Sequence, residues 1–152
     1  NKAWFNNTIF IITADHGLNI YKEHINDSRN GLIPFLIYNK NLTSYPEIEK
    51  IVSHIDILPT LLDLIGELEH FPKGYELFGC SGFKGTNGFA FRNNDNNIQW
   101  IENGFVYSEN LGFDFDEYYS MKDFKIISSD LLKETMKRKC RAYAQVGFEI
   151  TK

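Results

Sequence analysis

The hydrophobic and polar positions in the first half of the chain predict an alternation of strands and a helix. Residues 8–13 are a short apolar run rich in β-branched residues, and residues 32–38 are a second apolar run. Such runs are typical of strands buried on both faces of a parallel sheet. Residues 55–66 predict a helix, with Asp56 suited to its N-cap and Gly66 to its end. Its core-facing stripe recurs at helical spacing, at Leu58, Leu61, Leu62 and Ile65.

Beyond residue 70 the pattern changes. Residues 71–88 are rich in Gly and predict a long irregular connection. Turn-rich clusters then separate four short segments of strand-like content, which predicts an antiparallel meander. These segments are 89–92, 98–101, 105–108 and 117–119. Asn103-Gly104 is the sharpest hairpin signal in the chain.

The last predicted element is an amphipathic helix that starts near Ser129, a residue suited to its N-cap. Its core-facing positions recur every three or four residues, at Leu131, Leu132, Thr135, Met136, Lys139, Cys140 and Tyr143. This spacing favours a helix that packs on the sheet of its own domain over one that lies on a membrane.

Composition excludes some classes of protein. The net charge is −4, whereas a nucleic-acid-binding domain normally has a basic surface. No apolar run approaches the ~20 residues that span a bilayer. Cys80 and Cys140 lie far apart and predict free thiols, with a disulfide left open if they meet in space. The chain begins at Asn1 instead of Met, so we expect it to be a piece of a longer protein.

Asp15-His16-Gly17 directly follows the first predicted strand. Ligands of open α/β sheets bind beyond the carboxyl ends of the strands, so we expect both side chains to face one cleft. A carboxylate and an imidazole there can reach one divalent cation, and their oxygen and nitrogen suit zinc or manganese. Gly17 lets the chain turn away sharply. The plainer interpretation, a turn cap at Asp15 and a polar loop residue at His16, would be preferred for the triplet alone.

Three segments in order carry a resemblance: residues 11–17, residues 33–37, and Asp56-Ile57-Leu58-Pro59-Thr60-Leu61-Leu62. Together they closely resemble the C-terminal half of sulfatase-type enzymes of the alkaline phosphatase superfamily. Among these the chain looks most like the lipoteichoic acid synthase and phosphoglycerol transferase branch. The resemblance implies an α/β fold, the C-terminal part of an alkaline-phosphatase-like sandwich with a small antiparallel sheet and a packed C-terminal helix. It also implies two domains, the C-terminal part of the catalytic domain at 1–70 and a small antiparallel subdomain at 71–152.

The resemblance also implies site residues. Asp15 and His16 match the metal-binding pair of the family, for which Mn²⁺ is the preferred ion and Zn²⁺ or Ca²⁺ are alternatives. His24 and Arg29 are candidates for binding the substrate, against the alternatives of a plain loop histidine and a solvated arginine. No residue is assigned a catalytic role, because relatives carry the nucleophile well before the Asp-His pair.

The implied function is that of a metal-dependent phosphoglycerol transferase or sulfatase-like hydrolase. Its substrates would be phosphate or sulfate esters, with a phospholipid head group among the candidates. This fragment alone is expected to be inactive, and its parent protein is expected to be anchored at the outer face of a bacterial cell membrane. Another superfamily member, a phosphodiesterase or phosphomutase, and a non-catalytic binding module remain the alternatives.

Overall fold

The residues that the structure describes include antiparallel sheets of two and four strands and a long C-terminal helix, which confirms the predicted fold class. The computed structural model describes residues 2–22, 26–42, 47–73, 75–94, 96–128 and 130–150. The chain divides by packing into two compact units, Asn1–Glu47 and Ile48–Lys152. Domains at 1–70 and 71–152 stay a prediction. Across the described ranges, no helix combines the length and apolar character that a membrane span requires.

The first unit contains a two-stranded sheet. Strand β1 (Phe10–Thr13) pairs antiparallel with β2 (Phe35–Tyr38), and Ile12 is 54% exposed. The prediction of parallel strands buried on both faces is therefore wrong. Parallel neighbours need a crossover connection, usually a helix, and the described residues between these two strands form only a short 3-10 helix, Ser28–Gly31. Strand β2 therefore runs antiparallel to β1, and residues of both strands are partly exposed.

The helix predicted at 55–66 is found in the second unit as α1 (Ile57–Leu64), which follows a 3-10 turn at His54–Asp56. The predicted apolar stripe is only partly right, because Leu58 and Ile65 are exposed whereas Thr60 is buried. Two hydrogen bonds explain why Thr60 is buried. The Thr60 hydroxyl donates to the Asp56 carbonyl at 2.5 Å and accepts the Gly82 N–H at 2.8 Å, so a loop near Gly82 covers this side of the helix.

The second sheet is the predicted meander. Its strands are β3 (Phe89–Asn94), β4 (Asn97–Glu102), β5 (Phe105–Asn110) and β6 (Phe115–Ser120). They lie in the order β3-β4-β5-β6, with antiparallel pairing throughout. Asn103 and Gly104 both have positive φ, 51° and 78°, as a two-residue type I′ hairpin turn requires.

Helix α2 (Asp130–Ile150) packs on one face of this sheet. The shared core is made of Ile98, Trp100, Tyr107, Tyr118, Met136 and Cys140. The predicted packing is thereby confirmed for the middle of the helix, but Leu131 and Leu132 are exposed. Lys133 binds Asp116 of the sheet, and this contact orients the first turn by charge. The predicted cap at Ser129 lies outside the described residues. Cys80 and Cys140 are free thiols, as predicted.

Candidate metal-binding site

Asp15 and His16 follow β1 directly and lie side by side. Asp15 Oδ1 is 3.8 Å from His16 Nε2, and the side chains are 89% and 77% exposed. The pair is therefore brought together, but it stands in solvent. In the part of the chain that the structure describes, the cleft that we expected around it is not formed.

The ring of His16 is held by its own backbone. His16 Nδ1 lies 2.9 Å from the Gly17 carbonyl oxygen, so the proton on that nitrogen donates to the carbonyl and Nε2 keeps a lone pair. The His16 backbone N–H donates to Asp15 Oδ1 at 3.0 Å. The hydrogen bond to Gly17 and, next, the charge of Asp15 raise the pKa of His16. A metal ion and a proton would compete for the same nitrogen.

The two donor atoms fit one divalent cation. Ligands at about 2.1 Å from a tetrahedral ion lie about 3.4 Å apart, and the 3.8 Å between Asp15 Oδ1 and His16 Nε2 needs only a small side-chain adjustment. A hard oxygen with an imidazole nitrogen suits manganese or zinc. The described residues contain no group of three or more His, Cys, Asp or Glu side chains placed to hold a metal. The pair would therefore supply only part of a coordination shell.

Gly17 is needed for a reason that the sequence did not reveal. A Cβ atom at this position would lie 2.3 Å from the Asn30 carbonyl oxygen and 2.9 Å from that of Leu32. The requirement is close approach of two backbones, and the sharp turn that we expected is not its basis. The Asn30 side chain fixes this approach, because its amide exchanges two hydrogen bonds of 2.9 Å with the backbone of Tyr21.

Arg29 is anchored within the same loop. Its guanidinium forms a fork with the buried carboxylate of Asp27, with Nε at 3.0 Å from Oδ1 and Nη2 at 2.6 Å from Oδ2. The guanidinium carbon lies 4.2 Å from the centre of the Tyr21 ring. These contacts hold Arg29 in place, and its role toward a substrate stays a prediction. His24 lies outside the described residues.

Comparison with known families identifies one segment of the chain. Residues 3–67 match the family model described as Sulfatase. The match supports the alkaline phosphatase and sulfatase superfamily as a coarse assignment, and it does not distinguish the lipoteichoic acid synthase branch. Searches of curated proteins and of solved structures gave no match.

The matched segment contains both members of the candidate metal pair and the loop that follows them. Sequence reasoning found Asp15, His16 and Arg29, but it missed Asp27 and Asn30, which shape the loop. For Asp27 a signal was present, since an Asp followed by Ser-Arg-Asn can cap a short helical turn. Its carboxylate does accept the Arg29 backbone N–H, at 3.0 Å. Nothing in the sequence pointed to the partner of Asn30, nine residues earlier.

Proposed function

We propose that this chain is the C-terminal part of a metal-dependent enzyme of the sulfatase type. The reaction is transfer of phosphoglycerol or hydrolysis of a phosphate or sulfate ester. The observation that carries the proposal is the Asp15–His16 pair, whose donor atoms lie 3.8 Å apart inside the segment that matches the sulfatase model. Without that match, two adjacent polar residues after a strand would carry no function.

The proposed ion is Mn²⁺, held by Asp15 and His16, with Zn²⁺ or Ca²⁺ as the alternatives. The carboxylate supplies a hard oxygen, and the contact between His16 and the Gly17 carbonyl directs the Nε2 lone pair outward. Because neither side chain is a thiolate, a metal that prefers soft sulfur ligands is disfavoured. A bound ion would polarise an ester oxygen and offset the negative charge of the phosphate or sulfate group. In this proposal Asp15 supplies one oxygen donor and His16 supplies one nitrogen donor.

The substrate side of the proposal involves His24 and Arg29. A planar guanidinium can bind two oxygens of a phosphate or sulfate group, and Asp27 keeps that of Arg29 in a defined position. A phospholipid head group is the substrate suggested by resemblance to phosphoglycerol transferases. By the same resemblance, the parent protein would be anchored at the outer face of a bacterial cell membrane.

The test uses the full-length protein with Mn²⁺ and three substrates, an aryl phosphate, an aryl sulfate and a phosphatidylglycerol. Asp15→Ala and His16→Ala should each reduce turnover by more than the roughly 10- to 100-fold that outer-shell changes cost. Asp114→Ala and His70→Ala are matched controls, since both residues are exposed and lie outside the matched segment.

The outcomes separate the alternatives. Preference among the three substrates distinguishes transfer of phosphoglycerol from ester hydrolysis. Turnover that is unchanged in both variants would refute the metal role of the pair. Mn²⁺ binding by the full-length protein without turnover of any substrate would favour a non-catalytic module.

A further inference from the structure

A groove of about 420 Å³ lies in the second unit, between helix α2 and the sheet. Four aromatic side chains line it, Phe78, Phe89, Trp100 and Tyr143, together with the charged groups of Glu102 and Lys139. It is a shallow groove largely open to solvent, and its walls are mostly apolar with few polar groups. The charged pair decides which class of ligand fits.

Glu102 is a carboxylate held among aromatic rings. Its side chain is 17% exposed. It accepts the Trp100 indole N–H at 3.0 Å and the Lys139 ammonium at 2.6 and 2.8 Å. Burial acts to raise the pKa of Glu102, but the hydrogen bonds from Lys139 and Trp100 outweigh it and hold that pKa below its ordinary value. Glu102 is therefore ionised in the groove, where the Lys139 ammonium balances its charge. A cation that took the place of that ammonium would balance the carboxylate in the same way.

Lys139 supplies an ammonium group to this position. Its Nζ lies 6.0 Å from the centre of the Trp100 ring, at the outer limit for a cation–π contact. Its side chain is 43% exposed and has a flexible four-carbon stem. The side chain can thus move into solvent, which would uncover both the carboxylate and the indole.

The aromatic side chains of the groove pack against one another and present apolar surface beside the charged pair. Phe89 and Trp100 are stacked, with ring centres 4.4 Å apart and planes 11° from parallel. Tyr143 meets Trp100 edge-on at 5.9 Å. Rings that already pack against one another keep their positions when a ligand binds, and this lowers the cost of binding. Alkylated ammonium groups are favoured by such walls because they are less strongly hydrated than a primary ammonium and offer methyl surface.

We propose that this groove binds an organic cation, a quaternary or alkylated ammonium, which displaces the ammonium of Lys139 from its place beside Glu102 and Trp100. The carboxylate attracts the charge, and the aromatic rings contact the alkyl groups. Lys139 competes with the ligand as a tethered internal occupant. The site belongs to the second unit and does not depend on the metal proposal.

The test compares choline with 3,3-dimethylbutanol, its uncharged isostere. Trp4→Phe leaves Trp100 as the single indole, so its fluorescence reports on the groove. In this background choline should bind saturably, and the alcohol should bind at least tenfold more weakly. Lys139→Met keeps the apolar stem but removes the competing charge, so choline should bind at least tenfold more tightly and raise the melting temperature more than in the parent chain.

Two further variants test whether choline binding depends on the charged groups of the groove. Lys125→Met removes a surface ammonium that pairs with Asp123, and it should leave choline binding unchanged. Glu102→Gln should weaken choline binding at least tenfold, with near-ultraviolet circular dichroism to confirm that the fold persists. Equal binding of choline and the alcohol, or no gain in affinity in Lys139→Met, would overturn the proposal.

Discussion

Gly17, next to the proposed metal pair, has no space for a side chain. An added Cβ would lie 2.3 Å from the carbonyl oxygen of Asn30 and 2.9 Å from that of Leu32. Both oxygens belong to the backbone. Gly17→Ala should therefore lower the free energy of unfolding by about 1–3 kcal/mol, the usual cost of overpacking. Urea denaturation measures this change.

Gly147 in α2 is the matched control, because a Cβ added there meets nothing within 4 Å. Gly147→Ala should stabilise the protein by up to about 1 kcal/mol through helix propensity. If both substitutions change stability by the same amount, the steric account of Gly17 is incorrect.

Thr60 shows how one hydroxyl can fix the orientation of a helix. It is fully buried, and its oxygen satisfies the backbone N–H of Gly82. Thr60→Val keeps the shape but leaves that N–H without its acceptor, so unfolding should become easier by about 1–3 kcal/mol. Calorimetry should show this loss, whereas Thr135→Val, which removes an exposed bond to Leu131, should stay within about 0.5 kcal/mol. Equal effects would contradict this account.

At the scale of elements, the hairpin and helices were predictable because their signals are local. Asn103-Gly104 sets its own turn by two positive φ angles. The direction of β1 against β2 was not predictable in this way, since a short apolar run, although typical of a parallel strand, also occurs in antiparallel strands. It depends on the connection between them, and the one-sided burial of α1 likewise depends on Thr60 and Gly82, 22 residues apart.

Helix α2 is also held to the sheet by charge. Lys137 Nζ lies 2.8 Å from Asp116 Oδ2, Lys133 binds the same carboxylate, and Arg141 Nε lies 2.9 Å from Glu109 Oε2. The three cations are spaced four residues apart and so share one helix face. Tyr107 Oη joins the two carboxylates, at 3.0 Å from Glu109 and 3.2 Å from Asp116. The network fixes how α2 lies along the sheet.

This network predicts a dependence of stability on pH. Burial acts to raise the pKa of Asp116, but hydrogen bonds from Lys133 and Lys137 outweigh it and lower that pKa from its ordinary value of 3.8 to about 2. A depressed carboxyl pKa stabilises the fold above 3.8, and this stability is lost as the pH falls through about 2. This difference in pKa corresponds to roughly 2 kcal/mol in the free energy of unfolding.

Asp116→Asn is the corresponding test. At pH 6 it should lower the unfolding free energy by roughly 2 kcal/mol, and the gap to the parent chain should close as the pH approaches 2. Asp114→Asn, at an exposed neighbouring position, is the control and should show no such gap. Urea unfolding at several pH values measures both. A gap that stays constant with pH would contradict the assignment to Asp116.

At the scale of the whole molecule, the described chain brings two candidate metal ligands, Asp15 and His16, together. Zinc usually takes four ligands in proteins, and no described cluster of three or more candidate ligands exists. The local motif could be recognised from sequence because Asp15 and His16 are adjacent. Ligands that join them from distant parts of a chain leave no signal of this kind, so the rest of the shell could not be predicted.

We therefore expect this chain alone to bind Mn²⁺ weakly and to turn over neither aryl phosphates nor aryl sulfates. Calorimetric titration should reach no saturation at Mn²⁺ concentrations that saturate the full-length protein. A colorimetric assay of the isolated chain measures turnover. Metal-dependent hydrolysis by the isolated chain that disappears in Asp15→Ala would contradict this expectation.

The last prediction concerns the number of metal ions in the full-length enzyme. A di-zinc phosphatase site would need another Asp and two more His, yet beyond His16 this chain has only His24, His54 and His70. His54 and His70 are exposed and lie on short 3-10 turns of the second unit, where each has no second histidine beside it in sequence. A single ion bound through Asp15 and His16, with Mn²⁺ preferred, is therefore expected. Elemental analysis of active enzyme should give one manganese per chain, and two tightly bound zinc ions or calcium alone would refute it.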